Sequence, residues 1–183
     1  MTTRNFTLHI TDERDANDIR EVETRAFGYS KEACLVAALL QDETARPTLS
    51  LLARAEGNAV GHILFTRATF KGERDSPLMH ILAPLAVIPE YQGRGVGGLL
   101  IRTGIEHLRT MGCQRVFVLG HASYYPRHGF EPYAGDNGYP APYPIAEEHK
   151  ACWMMQSLSA QPSYRTGPVQ CAQALMKPEH WRE

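Results

Sequence analysis

One stretch restricts this 183-residue chain more than any other: "QGRGVGGLL", Gln92 to Leu100, sets four glycines within seven positions and runs directly into an apolar, helix-like segment. Each glycine in a structured segment costs roughly 0.5–1 kcal/mol relative to alanine, so the cluster marks a place where main chain approaches something closely. From Val96 to Met111 the residues Leu100, Ile101, Ile105, Leu108 and Met111 follow a 3.6 period, and Gly112 stands where a C′ glycine closes a helix. "LMHILAPLAVI" before the loop and "CQRVFVLG" after the helix both read as strands. Together these segments predict a strand, a glycine loop, a helix and a second strand. The N-terminus of that helix can hold an anion with free N–H groups and a favourable dipole, which makes the loop a candidate phosphate site.

The flanking pattern is mixed. "FTLHI" alternates like a first strand, and Ile19, Val22 and Phe27 follow at helical spacing. "SKEACLVAALLQD" predicts a second helix with Ser30 as N-cap and with Cys34, Leu35, Ala38 and Leu39 on one face. "LSLLARA" and "AVGHILFTRATF", separated by Glu56-Gly57-Asn58, predict an antiparallel hairpin. Pro84 falls inside the next apolar run, and because it cannot donate to a ladder, a bulge or splay is expected there. "HASYYPRHGFEPY" predicts a short helix with Pro126 in its first turn. "DNGYPAPYPIAEEHK" reads as a loop, and "ACWMMQSLS" and "GPVQCAQAL" as strands.

Several classes are disfavoured. Nineteen basic against twenty acidic residues give a formal charge of −1 with no basic run, so nucleic acid is not an expected partner. The start carries no apolar core of signal-peptide length and no run approaches a membrane span, so a cytoplasmic protein without a membrane partner is expected. Cys34, Cys113, Cys152 and Cys171 are scattered without CxxC spacing, which argues for small buried thiols over a zinc site or a disulfide framework, and no metal is expected.

Gly93, Gly95 and Gly98 fit G-x-G-x-x-G, but a dinucleotide site is disfavoured. Pro89-Glu90-Tyr91-Gln92 separates strand from loop, the preceding strands form a hairpin, and the following strand ends in Gly120-His121 where a ribose-binding acid is wanted. No Gly-Lys-Ser/Thr follows, which excludes a Walker loop. The motif Gln92-x-x-Gly95-x-Gly97, preceded by "LAPLAVIPEY", resembles instead the coenzyme A signature of the GNAT superfamily of N-acetyltransferases. "VLGHASYYPRHGFEPY" and the ending "ALMKPEHWRE" are similar to its bacterial YhbS-type branch, and the resemblance is strongest from Leu78 to Tyr133.

The resemblance implies a single N-acetyltransferase domain over residues 1–183: α/β (α+β), with a mixed, mostly antiparallel, splayed sheet flanked by helices. It implies that N–H groups along Gln92, Gly93, Arg94, Gly95, Val96, Gly97 and Gly98 meet the pyrophosphate of acetyl-CoA, while the freed backbone of Leu85, Ala86 and Val87 pairs with the pantetheine arm. Tyr125, four residues before the glycine of "HGF", matches the tyrosine that serves as general acid at the sulfur. The expected reaction is direct transfer of acetyl from acetyl-CoA to a primary amine, on a small molecule or a peptide, with a homodimer left open. No base is assigned: Ile81 and Ala83 stand where several relatives carry Glu or His, and His80 and His121 are the nearest titratable candidates. That gap leaves open the alternative of a non-catalytic CoA-binding or sensor module. Glu21, Glu23 and Glu32 read as solvated helix faces, and Asp136, Glu147 and Glu148 as loop charges that could draw a cationic amine.

Overall fold

Glu56 and Gly57 adopt φ of 51° and 85°, the two-residue turn geometry that matches the right-handed twist of the strands it joins. They close strand β2 (Leu49–Ala55) onto β3 (Asn58–Phe70), so the hairpin turn is one residue shorter than its sequence signal. The computed structural model describes residues 5–181; residues 1–4 and 182–183, which the single-domain expectation and the "ALMKPEHWRE" match include, lie outside them. Around this hairpin β1 (Phe6–Ile10) pairs with β2, and β4 (Met79–Val87) pairs with β3, all antiparallel. The strand β5 (Arg115–Leu119) joins β4 in parallel, and β6 (Trp153–Ser157) returns antiparallel to β5. A short β7 (Val169–Cys171) pairs with the far end of β3, completing a mixed, mostly antiparallel seven-stranded sheet of the expected class.

Helices α1 (Ala16–Phe27) and α2 (Lys31–Gln41) lie on one face, and α3 (Val96–Thr110) lies on the other. The alternation of β3 shows this directly. A Cβ on Gly61 would meet Val96 and Leu100 of α3, whereas the next residue, His62, reaches Glu23 of α1. Gly28 ends α1 at φ 79° and Gly112 follows α3 at φ 82°, the left-handed positions that glycine fills without strain. Ser30 precedes α2 without a side-chain cap, and α2 buries Ala33, Val36 and Leu39. Cys34 and Ala38 are exposed instead, because the apolar arc of α2 is wide and its Leu35 side turns toward a cleft. Among the described residues no helix is long and apolar enough to cross a membrane.

The seam between β4 and β5 is incomplete. Their ladder runs from Met79↔Arg115 to Leu82↔Val118 and ends, although β4 continues to Val87. On the other side the register of β4 against β3 slips between Leu82 and Leu85, where Pro84 has no N–H to give. The two strands therefore part at the position the proline marks.

Gly104, in the middle of α3, lies against the fully buried Phe65 ring, and an added Cβ would sit 2.7 Å from its Cζ. Gly104→Ala gains about 1 kcal/mol of helix propensity but overpacks a rigid ring, which costs roughly 1–3 kcal/mol. The variant is expected to melt a few degrees below the parent in a thermal scan; an unchanged or raised Tm contradicts this packing.

Candidate functional site

The parting of β4 and β5 opens a cleft of about 1060 Å³. Its first wall is main chain. The N–H of Ile88 donates to the carbonyl of Val60, which makes that pair hydrogen-bonded and, two residues earlier, Ala86 and His62 likewise. The polar groups of Leu85 and Val87 therefore point away from β3, into the gap that β5 has left. Ala86 departs from its expected role: its main chain is turned to β3 and its side chain is buried. The carbonyl of Val87 accepts from Nε2 of Gln92 at 2.9 Å, so Gln92 ties the strand end to the loop.

The second wall is the start of α3. Gly93 and Gly95 hold φ of 69° and 85°, where a side chain would be strained whatever the space. Gly95 provides no side-chain cap, and the first helical bond runs from Leu99 N–H to its carbonyl at 3.0 Å. The N–H groups of Val96, Gly97 and Gly98 precede that bond and have no partner within the helix. Gly97 and Gly98 are small for another reason. A Cβ there would lie 2.5 Å from the Tyr124 hydroxyl oxygen and 2.9 Å from Cε1 of His128. Arg94 sends its guanidinium over the Tyr91 ring at 5.3 Å and away from the cleft. Arg102, Arg127 and His128 stand around the helix start; burial, and then the two guanidinium groups, lower the His128 imidazole from its ordinary value.

Tyr125 closes the cleft on the sheet side from a 3₁₀ turn, Tyr125–His128, that begins with Pro126 in its first turn. It is only 9% exposed, edge-on to Phe130 at 5.7 Å and to Tyr124 at 5.2 Å. A Cβ on Gly120 would overlap the Tyr125 ring, a constraint that the sequence reading left out. Burial, and secondarily the Tyr124 phenol, push the Tyr125 hydroxyl well above the ordinary tyrosine value, so it stays protonated at neutral pH.

His80 is not at the cleft. Its Nε2 donates to the Pro47 carbonyl at 2.8 Å, Nδ1 lies 3.3 Å from the Cys113 sulfur, and burial lowers it to about 4. His121 does line the cleft, at the exposed end of β5. The remaining wall is built by the α1–α2 turn, with Phe27, Tyr29 and Glu32, and by the C-terminal segment, with Leu175, Glu179 and His180. The C-terminal contribution replaces the one expected from "DNGYPAPYPIAEEHK". That loop packs over the sheet away from the cleft lining, with the Tyr139 ring 5.8 Å from Phe117 and its carbonyl accepting from Trp153 Nε1 at 2.7 Å. Asp136 lines a separate pocket of about 300 Å³ there, Glu147 pairs with Lys150 at 2.6 Å, and Glu148 lines neither space. Among the described residues no cluster of His, Cys, Asp or Glu has the makings of a metal site.

With this geometry in view, residues 16–130 match the model of the Acetyltransferase (GNAT) family. The uncharacterized N-acetyltransferase YjhQ of Escherichia coli K12 is 82% identical over 172 residues, 94% of this chain and 95% of that protein. The uncharacterized N-acetyltransferase YhbS of the same strain is 35% identical over 119 residues, 64% of this chain and 68% of its own. The crystal structure of Escherichia coli YhbS in complex with CoA superposes with a TM-score of 0.85 at 25% identity, covering 97% of this chain and 95% of the other. A GNAT acetyltransferase from Brucella melitensis in complex with acetyl-CoA gives 0.74 at 29% identity, over 94% and 99%.

Behind the α1 wall lies a polar chain that the sequence reading missed. Glu23 is fully buried, with Oε1 2.5 Å from Nδ1 of His62; Nε2 of His62 lies 2.9 Å from the Ser50 hydroxyl, which accepts from Thr11 at 2.7 Å. Burial raises the Glu23 carboxyl, His62 opposes the shift, and nearby Glu32 adds to it. The available signal was position: residue 23 falls in the i, i+3, i+4 stripe with Ile19, Val22 and Phe27. Removing one partner of such a buried pair leaves the other uncompensated, at roughly 3–5 kcal/mol. His62→Ala is expected to lower the unfolding free energy by that amount in urea, and Ser50→Ala by about 1 kcal/mol; a parental urea midpoint for His62→Ala refutes the pairing.

Proposed function

Because the chain belongs to the acetyltransferase (GNAT) family, we propose that it transfers acetyl directly from acetyl-CoA to a primary amine, with Tyr125 as general acid. The observation that carries this reading is the coincidence of three features in one cleft: strand main chain at Leu85 and Val87 released from β5, an uncapped helix start at Gly95, and a buried phenol. Free N–H groups at a helix N-terminus are a phosphate site, and the dipole adds to them. Val96, Gly97 and Gly98 are suited to the pyrophosphate, with Arg102, Arg127 and His128 supplying positive charge beside it. The outward main chain of Leu85 and Val87 is suited to the amides of the pantetheine arm, as a strand added to an open edge. Support comes also from YhbS, whose structure holds CoA, and from the Brucella protein, whose structure holds acetyl-CoA.

The reaction needs a neutral amine whose lone pair attacks the thioester carbon. A C–N bond forms, the C–S bond breaks, and the departing sulfur takes a proton. A phenol kept protonated by burial can supply that proton once the thiolate appears, and it regains one from the new amide nitrogen.

Two measurements test this reading. Gly95→Asp adds backbone strain and a negative charge at the pyrophosphate, whereas Gly95→Asn adds the same atoms without the charge and tolerates the left-handed backbone better. Calorimetry is expected to show acetyl-CoA binding at least about tenfold weaker for Asp than for Asn; equal affinities remove the phosphate from this helix. Tyr125→Phe is expected to leave acetyl-CoA affinity nearly unchanged and to lower kcat by on the order of 10²-fold in a thiol-release assay. Parental kcat with chemistry rate-limiting would reduce Tyr125 to packing.

A further inference from the structure

We infer, building on the acetyl-transfer reading, that the acceptor enters as a primary alkylammonium ion at the end of the cleft between α2 and the C-terminal segment, where Glu32 holds the cation and His180 removes its proton. This end of the cleft is distinct in chemistry from the arginine-lined start of α3. Glu32 reaches it from the first turn of α2. Its Oε1 has only a long contact from the Tyr29 hydroxyl, 3.5 Å, and its Oε2 is shielded from solvent with no hydrogen-bond partner. A carboxylate oxygen taken out of water without a donor is unfavourable, and an ammonium group carries three donors that answer it. Phe27, Leu35 and Leu175 line the same end, which suits an apolar body behind the charge.

His180 lines the same cleft from the C-terminal 3₁₀ turn Pro178–His180, close enough to Glu32 for the carboxylate to act on its imidazole. Its side chain is 10% exposed, and its Nε2 is 3.8 Å from Oε1 of Glu179, too far for a hydrogen bond that would hold its proton. The segment is firmly seated. Trp181 Nε1 donates to the Leu175 carbonyl at 2.8 Å and the indole stands edge-on to Trp153 at 5.5 Å. Two main-chain N–H groups just upstream, Gln173 and Ala174, donate to Thr44 and Asp42 beyond the end of α2, each at 2.9 Å. Burial is the largest influence on the imidazole and lowers it. Glu179 and Glu32 pull the other way, while Lys31 and Lys177 lower it further. The balance leaves His180 a free base at neutral pH, the form that an ammonium can protonate.

The alkylammonium gives one proton to His180, the freed lone pair forms the C–N bond, the C–S electrons leave on sulfur, and Tyr125 protonates that sulfur. The tyrosine oxygen recovers the second proton from the amide nitrogen, and the imidazolium releases the first to water. Products are the N-alkylacetamide, free CoA thiol and one proton.

Kinetics on three probe amines, n-butylamine, 2-phenylethylamine and aniline, separate the parts, because aniline is uncharged at neutral pH and needs neither a carboxylate nor a base. Glu32→Gln is expected to raise KM for the two alkylamines about tenfold with kcat nearly unchanged. His180→Gln, with His180→Asn as a second variant, is expected to lower their kcat by on the order of 10²-fold and to abolish the acidic limb of the pH profile. Aniline turnover and calorimetric acetyl-CoA affinity are expected to stay at parental levels in all three. Variants that match the parent on alkylamines, or that lose aniline equally, overturn the proposal and leave acetyl transfer standing. A parent that uses aniline but neither alkylamine overturns it as well. A parent that binds acetyl-CoA and acetylates none of the three overturns the transfer reading itself, and this inference with it.

Discussion

A strand that loses its neighbour must still satisfy its backbone, and the rest of this molecule is arranged around one such loss. Beyond Leu82 and Val118 the β4–β5 ladder ends, so the N–H and C=O groups of Leu85 and Val87 are left at an open edge in the middle of a sheet. Such groups are tolerated only where water or another chain-like partner can reach them. Pro84, with no N–H to give to β3, sits in the bulge that follows the last β4–β5 pair, and Gln92 caps the Val87 carbonyl. The start of α3 then falls at the mouth of the gap, because only the 3₁₀ turn Pro89–Tyr91 and the glycine loop after it separate α3 from the end of β4. The opening and the exposure of the α3 start follow from one interruption in pairing.

Charge is distributed along the cleft accordingly. Arg102, Arg127 and His128 gather at the α3 start, while Glu32 and Glu179 line the cleft beside Lys31, the first residue of α2. In the proposed reaction the phosphates of the donor would meet the cations at one end, and a cationic acceptor would meet the carboxylates at the other. The buried Glu23–His62 pair lies behind the α1 wall, outside the cleft lining, and its influence on the cleft runs through the position of α1.

The parts that sequence made legible are those governed by local rules. The hairpin turn, one residue shorter than expected, the helical period of α3, the glycine loop and the interruption at Pro84 all depend on a few adjacent residues, and each lies within the stretch that signals it. What was illegible depends on phase and on distant packing. The exclusion of Ala86 from the open edge follows from its register against His62, a property of β3 that no residue near Ala86 encodes. The face of α2 slipped because a wide apolar arc fits two rotations, and only the cleft decides which leucine it takes. Glu23 and Glu32 look alike as acids on amphipathic helices, yet one is sealed against His62 and the other opens on the cleft. The C-terminal wall was missed because it arrives by tertiary contact, tied to Asp42 and Thr44 about 130 residues earlier.

Tyr124 and His128 rest directly on Gly97 and Gly98, with no room for a single methyl group between them. The turn that carries the Tyr125 phenol is thereby fastened to the first turn of α3, and neither can shift without the other. The span from the proposed phosphate site to the Tyr125 phenol is thus a gauge cut at folding, and under that proposal it would favour donors whose own arm already has that length over those that would need the protein to stretch.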